Sequence, residues 1–312
     1  MKPPVAEPRH TKQCVPPATR QKVLELRRTH SLSQVAAQTG LPLGTVKTLC
    51  SRSGAFVDNQ AQRDLFSLPT IQVSNSTALV VPELPPQSVQ TGDKEIDAVL
   101  WLREVIKTGQ VALIEKAMLA AKKIKTPLKD LEKRYLDHLT ARNPGNWTVA
   151  FNTFGFADLD TLAKRSIAKL TIQHEAVSRF GNIDNLFSKT PAEEFCIEVL
   201  AGLKPSKDFG DLDTKQVDKR FQAHPAMMPN TLSDCLHELA YWNNLYSLRN
   251  ASVQHAGEQW PECQARDNFV FRSLARIRAK SKAEAVAVFR YLADDERMDD
   301  EETESILLNL IG

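Results

Sequence analysis

Long intervals of this 312-residue chain contain neither glycine nor proline, and their absence limits the fold more than any motif does. Only 12 glycines are present, too few for a fold built from tight hairpins. Those intervals carry apolar residues at helical spacing instead. Ile96, Val99, Leu100, Leu102 and Ile106 share one face, with Trp101 beside it. After Gly109, the residues Val111, Leu113, Ile114, Ala117, Met118 and Ala121 resume the stripe. The same reading predicts helices over 127–141, 159–180 and 214–223, one opening at Thr190-Pro191, and a long one over 231–255. A basic helix pair over 266–290 and a short docked helix ending in Leu310-Ile311 complete the set. The fold class is therefore all-α: a small N-terminal domain, a flexible linker and a larger multi-helix body. With 42% apolar and 25% charged residues, the composition is that of an ordinary globular chain.

Residues 19–53 divide into three short helices. The first spans about Arg20 to Thr29 and carries Val23, Leu24 and Leu26. Ser31 and Gln34 have capping-box spacing, which starts a second helix at Leu32. Gly40 ends it where the chain needs a residue tolerant of positive φ, and a third helix runs from Pro42 or Leu43 to Arg52. Ala36 is small where two helices cross, and Leu41, Val46 and Leu49 form the apolar seam.

On these residues the stretch resembles the helix-turn-helix superfamily of DNA-binding domains. Ala36 matches the family's small second-helix residue, Gly40 its turn glycine, and Leu41, Val46 and Leu49 its buried positions. Gly44-Thr45-Val46-Lys47 is similar to the start of a recognition helix. The resemblance implies that the third helix enters the major groove, with Leu43, Gly44, Lys47, Thr48 and Ser51 facing base edges. It implies phosphate contacts for Arg27, Arg28, Thr45 and Arg52. Pro42 departs from the pattern, standing where many relatives have a capping serine or threonine. Proline is tolerated at the first helical position, so the departure shifts the start of the helix rather than abolishing it. Three-helix units also serve as structural or protein-binding modules. Here residues 1–53 hold nine Lys or Arg against two Glu, a surplus suited to a polyphosphate.

Composition divides the rest. Residues 1–18 read as a flexible arm in which Arg9, His10 and Lys12 have the charge to enter a minor groove. Residues 54–92 read as a linker, with a short strand pair at 71–73 and 78–81 as the alternative. A helical domain follows over 93–203, and a C-terminal helical region over 204–312, continuous with it or separate. Lys122, Lys123, Lys125 and Lys129 cluster at a helix junction, as a second phosphate contact or as dipole-complementing helix ends. Trp147, Phe151, Phe154 and Phe156 are read as core packing, with nucleobase stacking as the alternative. Arg272, Arg276, Arg278, Lys280 and Lys282 offer a second basic surface, for DNA or for the acidic end of the same chain. That end, Asp294–Glu304, holds eight acids and one Arg.

Five widely spaced cysteines show no disulfide framework, which suits a reducing compartment. No signal segment or spanning apolar run is visible, so the expected location is the cytoplasm, away from the membrane. Cys235 with His237, an SxxK match at Ser166–Lys169, and the pairs Asp158/Asp160 and Asp211/Asp213 fall short of any catalytic or metal constellation. No catalytic residue, metal or cofactor is expected. The chain is read as a non-enzymatic, sequence-specific binder of double-stranded DNA, a transcriptional regulator acting on an operator. It would act as a homodimer or higher homo-oligomer, and its helical body has room for a protein partner. The alternatives are a partition, replication or architectural protein that oligomerises along DNA, and a metal-dependent DNA-processing enzyme.

Overall fold

Eight of the described α-helices begin where a side chain takes up an unpaired N–H group of the first turn. In the computed structural model, Ser31, Asn59, Asp93, Asp158, Asn182, Thr190, Asp213 and Ser281 each accept from a backbone amide two or three residues on. The structure describes residues 15–27, 30–54, 56–72, 83–204, 212–253 and 259–311. Among them the fold is all-helical, without strands. In order the helices are α1 (Pro17–Arg27), α2 (Leu32–Thr39), α3 (Leu43–Ser53), α4 (Gln60–Leu65), α5 (Lys94–Lys107), α6 (Val111–Ala121), α7 (Leu128–Arg142) and α8 (Leu159–Phe180). They continue as α9 (Ile183–Phe187), α10 (Pro191–Leu200), α11 (Thr214–Gln222), α12 (Leu232–Ser252), α13 (Pro261–Ser273), α14 (Lys282–Asp294) and α15 (Thr303–Ile311). Among the described residues no helix is long and apolar enough to cross a membrane. Of the alternative strands at 71–73 and 78–81 only Ile71 and Gln72 are described, and neither is in a strand; the arm residues Arg9, His10 and Lys12 lie outside the described residues.

Two units make up the chain: residues 1–68, 189–244 and 258–312 form the first, and residues 69–188 and 245–257 the second. The boundary drawn from sequence at 203 therefore falls inside the first unit. In the second unit Leu102, Val105 and Ile106 of α5 pack with Leu113, Ile114 and Ala117 of α6 and with Leu159 and Ala163 of α8. Gly109 makes the α5–α6 turn at φ 72° and touches α8 so closely that a Cβ there would lie 2.6 Å from the Ser166 carbonyl oxygen. No other residue fits that turn.

In the first unit the expected linker begins later than composition implies. Residues 57–67 are bound to the start of α12. Asp234 accepts from the Asn59 N–H at 3.0 Å and from Arg63 Nε at 2.7 Å. The Asn59 amide donates to the carbonyls of Ala226 and Met228. Phe66 is fully buried, edge-on to Phe195, Tyr241 and Trp242.

Beneath Phe66 lies a buried ion pair. Arg266 Nε donates to Glu238 Oε1 at 2.6 Å and Nη2 to Oε2 at 2.8 Å, with neither residue exposed. The Gln62 amide donates to the same Oε2 at 2.6 Å. The guanidinium also donates to the Met227 carbonyl and lies 4.9–6.0 Å from the ring centres of Phe66, Phe195, Phe221 and Phe269. Burial alone would lower the Arg266 pKa; the Glu238 carboxylate outweighs it and raises it. Glu238→Ala would leave this cation without its counter-charge, costing about 3–5 kcal/mol. Urea unfolding should show the loss, and a variant as stable as the parent would mean the pair does not hold the unit.

Asp267, one residue on, is buried, and that burial lifts its pKa to about 6 against the pull of Arg297. The folded form thus keeps a proton that the unfolded chain releases near pH 4, so stability falls as pH rises from about 4 to 6. Asp267→Asn should remove that decline. Its melting temperature relative to the parent should therefore rise across the window, and a constant difference would contradict the assignment.

Candidate nucleic-acid interface

α1, α2 and α3 close around a small core of Val23, Val35, Val46 and Cys50, flanked by Leu24, Leu26, Leu32, Ala36, Leu41, Leu49 and Phe56. The reciprocal capping box at Ser31 and Gln34 is formed, and Gly40 ends α2 at φ 66°. α3 begins at Leu43, with Pro42 in the cap position and no side-chain cap. Because Val46 and Cys50 point inward one turn apart, the helix is oriented and its opposite side is left in solvent. The buried Val35 was absent from the predicted seam, whereas Val46 was in it; Leu41 and Leu49 are half-buried.

Leu43, Gly44, Lys47, Thr48 and Ser51 are all exposed on the outer side of α3. The Thr48 hydroxyl donates to the Gly44 carbonyl at 2.8 Å. Its proton is thereby committed to the helix, while the residue itself stays exposed. Gly44 lets the helix backbone approach a partner closely, since nothing lies within 4 Å of where its Cβ would be.

The residues assigned to phosphate are less uniform. Arg52 is exposed in the last turn of α3 and Thr45 is half-buried. Arg28 lies outside the described residues. Arg27 is engaged internally: Nη1 donates to the His30 carbonyl at 3.0 Å, and the guanidinium lies 5.6 Å from the Phe56 ring centre. Burial pulls its pKa below the ordinary value, and the neighbouring Arg278 adds to the effect. Arg27 braces the α1–α2 turn.

Much of the second basic surface is neutralised within the chain, by carboxylates other than those of the acidic end. Asp218 of α11 takes Arg272 at 2.8 Å and Arg276 at 3.0 Å, while Asp58 takes Lys280 at 2.8 Å. Lys282 is exposed in the first turn of α14, and Arg278 stands near Arg27. In the second unit the core-packing expectation holds for Phe156, which is buried against Tyr135, and fails for its neighbours. Trp147, Phe151 and Phe154 are 73%, 52% and 69% exposed, touching one another edge-on. The 3-10 turn at Trp147–Thr153 buries Val149 and Thr153 instead, which turns the three rings outward.

Among the described residues no three His, Cys, Asp or Glu side chains gather as metal ligands. Cys235 is buried, whereas the His237 ring meets Ser67 Oγ and the Arg63 carbonyl, both at 3.2 Å. No protein-family model, curated protein or solved structure matches this chain.

The inward face of α3 yields a direct test. Val46→Asp would bury a carboxylate among Val23 and Val35, at a cost of several kcal/mol. Amide exchange in α1–α3 should rise to unfolded rates. Retained protection there would place Val46 outside the core.

Proposed function

We propose that the chain is a sequence-specific binder of double-stranded DNA, most simply a transcriptional regulator that occupies an operator. The carrying observation is the outer side of α3. Five exposed residues, Leu43, Gly44, Lys47, Thr48 and Ser51, sit on a short helix whose other side is fixed by a small core. An α-helix of this size fits the major groove of B-form DNA, and its first turns carry the groups that reach base edges. Lys47 supplies a donor suited to guanine O6 and N7. Thr48, its hydroxyl proton held by Gly44, offers an acceptor to the exocyclic amines of adenine or cytosine and a methyl to thymine. Arg52 supplies a phosphate contact at the end of the helix. The basic surplus of residues 1–53 provides the non-specific attraction on which such contacts depend.

Selection from a random duplex library by the full-length protein tests the proposal, followed by titration of the selected site and an unrelated duplex. Lys47→Ala and Thr48→Ala should each lose about 1–3 kcal/mol of discrimination between the two duplexes. Arg52→Ala should weaken both equally and reduce the slope of log K against log salt by roughly one. Arg27→Ala should lower the melting temperature while leaving that slope unchanged. Failure to enrich any sequence, with equal weakening of both duplexes by Lys47→Ala, would reject base reading by α3.

A further inference from the structure

We infer that the cleft between the turn at 278–282 and the last turn of α15 is a binding site for a small phosphomonoester with an apolar body. The cleft measures about 330 Å³, at the small end of the range for ligand pockets. Arg278, Lys280 and Lys282 line it together with Ala285, Leu310 and Ile311. It thus offers cationic donors beside apolar surface, and among the described residues no carboxylate side chain lines it. Both sides are held in place. The Asn309 amide donates to the Leu274 and Ile277 carbonyls at 2.8 and 2.7 Å, which ties α15 to the end of α13. On the other side the Lys280 N–H donates to Glu284 Oε2 at 2.6 Å, and the Ser233 N–H donates to Glu284 Oε1 at 3.0 Å. Ser281 Oγ accepts from the Glu284 N–H, so the cations and the cleft define the site, not an uncapped helix end. A ligand entering here has little backbone ordering to supply.

The charges around the cleft select the ligand class. Asp58 meets Lys280 at 2.8 Å and Arg63 at 3.0 Å, so one carboxylate serves two cations. Glu284, the nearest acid in sequence, accepts from the backbone N–H groups of Lys280 and Ser233. Lys282 makes no ion pair among the described residues. Arg278 has the Arg27 guanidinium as a like-charged neighbour. Donors without an acceptor repel a cationic ligand, and a positive surplus spread over several side chains suits a dianion better than a single carboxylate. A phosphomonoester carries about −1.5 to −2 charges at pH 7, with three strong acceptor oxygens. Ala285, Leu310 and Ile311 then cover its carbon body, which inorganic phosphate lacks. A duplex phosphate carries one charge only and is flanked by further phosphates, where the cleft has apolar side chains. The site is independent of whatever α3 contacts.

Calorimetric titration of the full chain at low salt with phenyl phosphate, inorganic phosphate and benzoate tests the site. Phenyl phosphate should bind saturably, one per chain. It should bind about fivefold or more tightly than inorganic phosphate, which lacks the ring, and than benzoate, which lacks the second charge. Lys282→Ala, at an exposed position, should weaken phenyl phosphate and inorganic phosphate alike by about fivefold, with unchanged helix content by circular dichroism. Leu310→Asn should weaken phenyl phosphate by about as much and leave inorganic phosphate unchanged. Lys116→Ala, an exposed lysine of the second unit, should alter neither. No saturable binding of phenyl phosphate, binding that Lys282→Ala leaves unchanged, or equal affinity for phenyl phosphate and inorganic phosphate would overturn the inference.

Discussion

A guanidinium with no access to water, Arg266, is the group on which the first unit depends. Taking such a cation from solvent costs several kcal/mol unless its charge and donors are met. Glu238 meets the charge with two hydrogen bonds through Nε and Nη2, the Met227 carbonyl takes a third, and Nη1, with no acceptor among the described residues, is left to the four surrounding aromatic rings. These partners come from α4, α10, α11, α12, α13 and the turn before α12, so satisfying one side chain fixes the mutual position of six segments. Gln62 joins on the same Glu238 oxygen, which brings the α4 segment into the network. A purely apolar centre would tolerate sliding among those helices. Directional bonds to a buried pair do not, so the pair contributes register more than net stability.

The α4 segment matters for function because it follows α3 after a few residues. Asp58, Asn59 and Arg63 attach it to Thr231, Asp234 and Lys280. The three-helix unit of α1–α3 is therefore joined to its neighbours through a short anchored connection and does not hang on a long tether.

Local signals made most of the helices legible. Asp158 and the glycine after Phe180 delimit α8, whose predicted bounds of 159 and 180 agree with the structure. The capping boxes at Ser31 and Thr190 are both formed as their spacing predicts. Partner choice was not legible. Nothing near Arg272 or Arg276 in sequence points to Asp218, more than fifty residues away, yet that carboxylate neutralises both. The α4 segment was misread because its six helical residues are mostly polar and its anchoring acid lies 175 residues on; the Asn59–Gln62 cap was the available signal. Aromatic content misled at 147–154, since composition cannot say which side of a 3-10 turn faces the core. For α3, the apolar seam identified Val46 as buried, and the helix-turn-helix resemblance implied that Lys47 and Thr48 face outward, where both are exposed. The Thr48–Gly44 bond and the inward role of Arg27 required coordinates.

We propose that the Lys47 side of α3 is the part of this chain that meets duplex DNA. Lysine footprinting tests it most directly: the full-length protein is treated with an amine-acylating reagent, with and without saturating duplex, and each lysine is read by mass spectrometry. Duplex should shield Lys47 strongly while Lys107 and Lys116 of the second unit react as before. A Lys47 that acylates at the same rate in the DNA complex as in free protein would contradict it.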